Sequence, residues 1–486
     1  MMVSVARSTG DALAGTEVRL IPQPSAGPRT LVYNAHLGAG VHVAVDLMSS
    51  DQWQAISFPA GSDASGPLLK GLIGDDVADQ MRVVVVDPAR ATPWLRIAFV
   101  DALDRWLQAP LEQSLVDAER GVSRGCAART LPAGQARALL VGDALRLARR
   151  ASHGFVTFLR GLARHSRPIP NSLVLACGRL VDGYKDLRGE VAGPDRELTA
   201  VIRAWRRCSS RLEEAGRATS DSPCPAATPW ALPVPHQPVQ SAGAIDPRQV
   251  RARVFALAAD PPVAEVMMQV PERAGSDSVV VRAPAFGHAV DLDIRPRLVA
   301  RLVDRRSATP RGHALLSLVN GRPHAGDGPY FEATVPLCGL SASDVRVDVF
   351  DALSEVPPAG TDSDRGLQEA RRAVVFLAEW RRLAALAQLP AVVAAPARRL
   401  RDLATRLQPR GGGADDPMFA GGLSAADLVG LSELGDRRLL SRLRGAGGPA
   451  AGLPAVTAGS ARLLVAEMAA AHCERAADRT NGTLVQ

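Results

Sequence analysis

A thiol and an imidazole can act together as a nucleophile and its base. In this chain His288 precedes Cys338 by about 50 residues. Three carboxylates follow closely, Asp344, Asp348 and Asp351, and grouped carboxylates serve acid–base chemistry or hold a metal ion. In an extended segment, however, Asp344 and Asp348 share a face and Asp351 points the other way, so the three do not converge without a bend. Asp351 and Asp101, each ending a similar apolar stretch, are expected to cap the helix or turn that follows.

The spacing of His288 and Cys338 is that between base and thiol in caspase-like cysteine proteases, so a cysteine hydrolase is one reading. The surroundings depart from that family. The sequence around Cys338 lacks the Gln-Ala-Cys pattern, and no parallel α/β alternation lies between the two residues. Cys338 is expected to be a buried structural thiol. A second reading concerns arginine. Arg146, Arg149, Arg150, Arg203, Arg206, Arg207, Arg398 and Arg399 lie in helical sequence and could meet nucleic-acid phosphates. The alternative for them is a solvated face balanced by nearby acids. In the segment Leu428 to Leu439 the hairpin turn has only Gly435, where a phosphate-binding helical hairpin has two glycines flanking one apolar residue, so an ordinary helix C-cap is expected there. No phosphate-binding glycine loop, Gly-x-Ser-x-Gly elbow, His-Glu-x-x-His or EF-hand pattern occurs, and no cofactor or metal is expected.

The elements that would position these residues follow from pattern. At 486 residues the chain has room for several cores, and with 47% hydrophobic and 22% charged residues it has the composition of a globular protein. The net charge of +7 rests on arginine, since Lys70 and Lys185 are the only lysines. Six scattered cysteines without a Cys-x-x-Cys pair argue against a zinc ribbon or disulfide framework and fit a reducing cytoplasm. No signal peptide is read at the N-terminus. No membrane span is expected either, because the most apolar stretch, Ala373 to Ala397, is broken by Glu379, Arg381, Arg382 and Pro390.

Alternating apolar segments predict strands at Glu17–Ile21, Thr30–Tyr33 and Val41–Leu47, and the run Met81–Asp87 predicts a buried central strand. Leu95–Leu103 alternates as well, and Val345–Leu353 echoes it with the same Asp-Ala-Leu exit. Helical periodicity covers about 104–111, Gln135–Ala151, Phe155–His165, Ser172–Gly189 and Asp195–Ala215. After a Pro/Ser-rich stretch the strand pattern restarts. Strands are expected at Val250–Ala256, Val263–Val270, Ser278–Arg282, Ala289–Ile294, Arg297–Asp304, Ala314–Val319, Tyr330–Leu337 and Val345–Phe350, which suggests a β-sandwich. Helices return at Asp364–Gln388 and Pro390–Gln408, then at Ser424–Leu431, Leu439–Leu443 and Ser460–Ala477.

The expected fold is α+β: two tandem modules, each a small antiparallel, sandwich-like β domain followed by a helical hairpin, with a small helical C-terminal tail. The expected boundaries are a first β module at 1–103, helices at 104–216, a linker at 217–246, a second β module at 247–353, helices at 364–408 and a partly helical tail at 409–486. The expected function is that of a non-enzymatic cytoplasmic interaction or regulatory protein that binds a protein partner through duplicated modules. The alternatives are the hydrolase and the nucleic-acid binder; the oligomeric state stays open.

Overall fold

The structure is a computed structural model. It describes residues 2–9, 16–22, 32–36, 42–46, 55–59, 83–85, 88–106, 112–164, 169–215, 241–245, 249–250, 265–269, 277–285, 298–319, 329–352, 376–377, 379–387, 395–407, 425–443 and 463–472. They form a mixed helix-and-strand protein with small antiparallel sheets and no closed barrel among them. The chain falls into two compact units. One comprises Met1–Leu103, Ala109–Ala227 and Glu379–Gln486, and the other Asp104–Gln108 and Thr228–Ala378.

The first unit holds six strands: β1 (Met2–Thr9), β2 (Thr16–Pro22), β3 (Val32–His36), β4 (His42–Asp46), β5 (Ala55–Pro59) and β6 (Val83–Val85). They make one sheet in the order β3-β4-β5-β2-β1-β6. β2, β3 and β4 fall where alternation predicts them, and β1 and β5 add to them. The described residues of the apolar run at Met81–Asp87 form β6, which stands at the end of the sheet order and not at its centre, pairing with Met2–Ser4 of β1. An apolar run without alternation does not say how many neighbours a strand has.

Five helices follow: α1 (Pro88–Trp106), α2 (Gln113–Arg129), α3 (Gln135–Arg164), α4 (Asn171–Gly189) and α5 (Arg196–Ala215). The largest difference from expectation is α1. The predicted strand Leu95–Leu103 is helical throughout, in a helix that runs through Pro93. Trp94, Ile97, Ala98, Phe99, Val100, Ala102 and Leu103 are all buried. A helix buried nearly all round shows no 3.6-residue stripe, and its short apolar alternations imitate a strand. The echo at Val345 is a true strand, so the two similar stretches adopt different structures and the tandem repeat has no counterpart there. Asp101 accordingly sits inside a helix and caps nothing, and Asp351 ends its strand. α3 is one continuous helix where the periodicity predicts two.

α2 is the helix on which this bundle closes. A β-carbon on Gly121 would lie 3.0 Å from the backbone of α3 at Ala144 and Ala148, and one on Gly183 of α4 would fall inside the side chain of Val122. These two glycines let α3 and α4 approach α2 closely. Tyr184 of α4 donates from its hydroxyl to the Ala148 carbonyl at 2.9 Å and packs against Phe155. Further along the chain come helical residues 379–387, α6 (Ala395–Leu407), α7 (Ala425–Glu433), α8 (Asp436–Leu443) and a helix at 465–472.

The second unit holds β7 (Ser241–Ala244), β8 (Glu265–Gln269), β9 (Ser278–Pro284), β10 (Leu298–Asp304), β11 (Pro310–Leu315), β12 (Ser317–Val319), β13 (Tyr330–Pro336) and β14 (Val345–Asp351). They make two sheets, ordered β11-β10-β14 and β12-β13-β9-β8-β7. Alternate residues of both share one apolar core: Val279 and Val281 of β9, Leu298, Ala300 and Leu302 of β10, Phe331 and Val335 of β13, and Val345 and Val347 of β14. β8, β9, β10, β13 and β14 lie where the alternation predicts strands. The single strand predicted at Ala314–Val319 is divided at Leu316, so that its two parts join different sheets as β11 and β12. The segments expected as strands at Val250–Ala256 and Ala289–Ile294 lie wholly or largely outside the described residues.

Candidate functional site

Of the thiol–imidazole pair, His288 lies outside the described residues. Cys338 is exposed and not buried as expected: it follows β13 in a turn with φ of 51°, next to Gly339 at 79°. Left-handed backbone at a non-glycine residue is disfavoured, so the turn is held by its neighbours. The Gly339 N–H donates to the Asp277 carboxylate at 3.2 Å, and the Cys338 thiol lies 3.5 Å from the Arg311 carbonyl. The carboxylates of this region are engaged locally. Asp348 pairs with Arg301 and Arg346, and Asp344 lies in a short 3-10 turn capped by the Ser341 hydroxyl. Among the described residues no group of three or more His, Cys, Asp or Glu is placed to hold a metal ion.

The densest charged group lies inside the first unit. Arg381 forms a bidentate pair with Glu467, Nε to Oε1 at 2.6 Å and Nη2 to Oε2 at 2.5 Å, with side chains 1% and 4% exposed. Its guanidinium also lies over the Phe99 ring, 4.8 Å from the centroid. Glu119 of α2 pairs with Arg96 of α1 at 2.7 Å and accepts the Val465 N–H. Glu467 reaches back to the Leu464 N–H at 2.7 Å. Two carboxylates therefore satisfy backbone donors at the start of helix 465–472, where the helix dipole favours negative charge. Burial pushes the Glu119 carboxyl above its ordinary value, and the opposing pull of Arg96 and the Val465 N–H is smaller. Beside this group, Asp117 binds Arg120 and Arg150, and Asp101 binds Arg120 and Arg124. Every acid here has a cationic or backbone partner, which is the condition for burying charge.

The arginine candidates divide on the same criterion. Arg146 pairs with Asp143, Arg149 with Asp195 and Arg150 with Asp117, so these three are balanced by acids. Asp195 also accepts the Leu198 N–H at the start of α5. Burial works against its ionised form, but the Leu198 N–H and Arg149 outweigh it and the carboxyl sits below its ordinary value. Arg203, Arg206 and Arg207 are exposed on α5, and Arg398 and Arg399 are exposed on α6. Gly435 is not the expected helix C-cap. Its carbonyl accepts from Arg438 and Leu439, which makes it the N-cap of α8. Arg401 binds Asp436 and the Leu434 carbonyl across that hairpin.

One further surface has almost no signal in the sequence. β11 ends its sheet, and the Leu316 N–H bonds the Leu298 carbonyl at 2.8 Å. In an antiparallel ladder residues 314 and 316 then face β10, and His313 and Leu315 turn their N–H and C=O groups outward. Among the described residues those groups meet no partner. Leu315 is 65% exposed. In the sequence this surface shows only as an apolar residue near a strand end. Comparison of the chain with protein-family models, curated proteins and solved structures finds no match. Among the described residues no helix is long and apolar enough to cross a membrane.

Proposed function

We propose that the chain is a non-enzymatic, cytoplasmic interaction protein whose β unit takes an extended segment of a protein partner as an added strand on β11. The observation that carries this reading is the open edge at His313 and Leu315, where outward backbone groups adjoin an exposed leucine. Main-chain hydrogen bonds would supply affinity, and an apolar residue of the partner would cover Leu315. Natural edge strands are protected by charge, proline or short length. β11 carries such protection only at its first two residues, Pro310 and Arg311, and ends on leucine. Among the described residues Cys126, Cys177, Cys208 and Cys338 form no disulfide, which fits a reducing compartment.

The test is a selection of extended peptides from a displayed library on the full chain. Leu315→Pro removes an outward N–H while sparing the ladder to β10. Selected peptides are expected to slow amide exchange at 313–315 and to lose at least tenfold in affinity for the proline variant. Peptides that bind wild type and variant equally would overturn the reading.

A further inference from the structure

The exposed arginines of α5 line up along one face. Arg196, Arg203 and Arg207 recur on one line at 3.6 residues per turn, with Ala200 between them and Arg206 beside them. All four arginines are exposed. Among the described residues no carboxylate lies within ion-pairing distance of any of them. On α3, by contrast, Arg146, Arg149 and Arg150 each meet an aspartate. Glu197 is exposed on the flank of the line away from Arg206. The line runs about 16 Å along the helix at about 1.5 Å per residue.

We propose that this face of α5 binds the phosphate backbone of double-helical nucleic acid without reading sequence. Arginine suits phosphate because its planar fork donates two parallel hydrogen bonds. The residues interspersed on the face, Ala200 and Ser210, are small, so phosphates can approach the guanidinium groups closely. No large apolar side chain stands on the line, which disfavours insertion into a lipid surface and leaves no anchor for a protein partner. No aromatic ring stands there to stack unpaired bases: Trp205 is half-buried, and its ring lies 3.4 Å from the position of a β-carbon on Gly178 of α4. The surface is distinct from the β11 edge and stands whether or not that edge binds a protein.

The test measures binding of the full chain to a short fluorescent DNA duplex by anisotropy across a salt series. Wild type is expected to bind at low salt and weaken steeply as salt rises. The triple variant Arg203→Gln, Arg206→Gln, Arg207→Gln is expected to lose at least tenfold in affinity, and its log–log salt slope should fall by about 3. The corresponding triple lysine variant should keep most of the slope, because it keeps the charge. Arg146→Gln, which removes an arginine already paired with Asp143, should leave the slope unchanged. No binding by wild type, an unchanged slope in the glutamine variant, or equal competition by poly-glutamate would each overturn the proposal.

Discussion

Inside the first unit, Arg381 and Glu467 lie almost without exposure and bond each other twice, with Glu119, Arg96, Asp117 and Arg150 in the same bundle. Inside the second, the two sheets enclose a core of valine, leucine, alanine and phenylalanine. Its buried charges stand off that core, Arg301 on the other face of β10 and Asp304 and Asp351 at the ends of β10 and β14. The units therefore depend on different forces. The sheet core gains from removing apolar area from water and tolerates changes in proportion to the volume lost. The helical core depends on each charge having its partner, and loss of one member leaves the other stranded.

The sharpest break of this contrast is Arg381→Met. Glu467 and the start of helix 465–472 would lose their cation, and a cost of about 3–5 kcal/mol is expected. Chemical denaturation followed by near-ultraviolet circular dichroism measures it. The double variant Arg381→Met, Glu467→Leu should recover much of that loss, since it removes the stranded charge. Equal destabilisation in the single and double variants would show that packing, not pairing, holds the region.

In the β unit Leu302→Ala has no partner to strand, and it should cost about 2–5 kcal/mol through lost burial and a residual cavity. Leu302 is fully buried within the apolar core. No second substitution elsewhere in the core should rescue it unless it refills the volume. A smaller effect is expected at Gly121→Ala, about 1–3 kcal/mol, because its new methyl would press on the α3 backbone at 3.0 Å. Both values come from the same denaturation measurement.

The same difference in forces decides what can be read from the sequence. In the β unit β9 and β13 bury alternate residues and β10, buried throughout, still places alternate residues in the apolar core, so periodicity locates β8, β9, β10, β13 and β14. α2 shows no such stripe. Its buried residues include Asp117, Glu119, Gly121, Ser123 and Gly125, types that a search for apolar periodicity passes over. α1 reads as a strand for another reason, being buried on nearly every side. The arginines are visible as a set, but which of them are neutralised depends on Asp143, Asp195 and Asp117, and those pairings exist only in the folded helices. The β11 edge depends on strand order, which local pattern does not encode.

The mildest probe is pH, and the two units should answer it with opposite signs. The Asp304 carboxylate accepts the Arg306 N–H, bonds Ser307 and pairs with Arg311, and these contacts lower its pKa to about 2. The unfolded chain binds the proton more readily, so this contribution is present above the ordinary aspartate value and is lost as pH falls toward about 2. Glu119 runs the other way. Burial raises its pKa above the unfolded value of a glutamate, so the folded state holds the proton more tightly there. Its contribution is full below that unfolded value and declines as pH rises through the folded one. Hydrogen exchange, corrected for its intrinsic pH dependence, should therefore show acid loosening the hairpin of β10 and β11 while leaving α2 protected. Glu119→Gln should flatten the pH response of α2 alone, and Asp304→Asn that of the hairpin alone. A common response in both segments would mean that these two carboxyl groups do not set the pH dependence of their units.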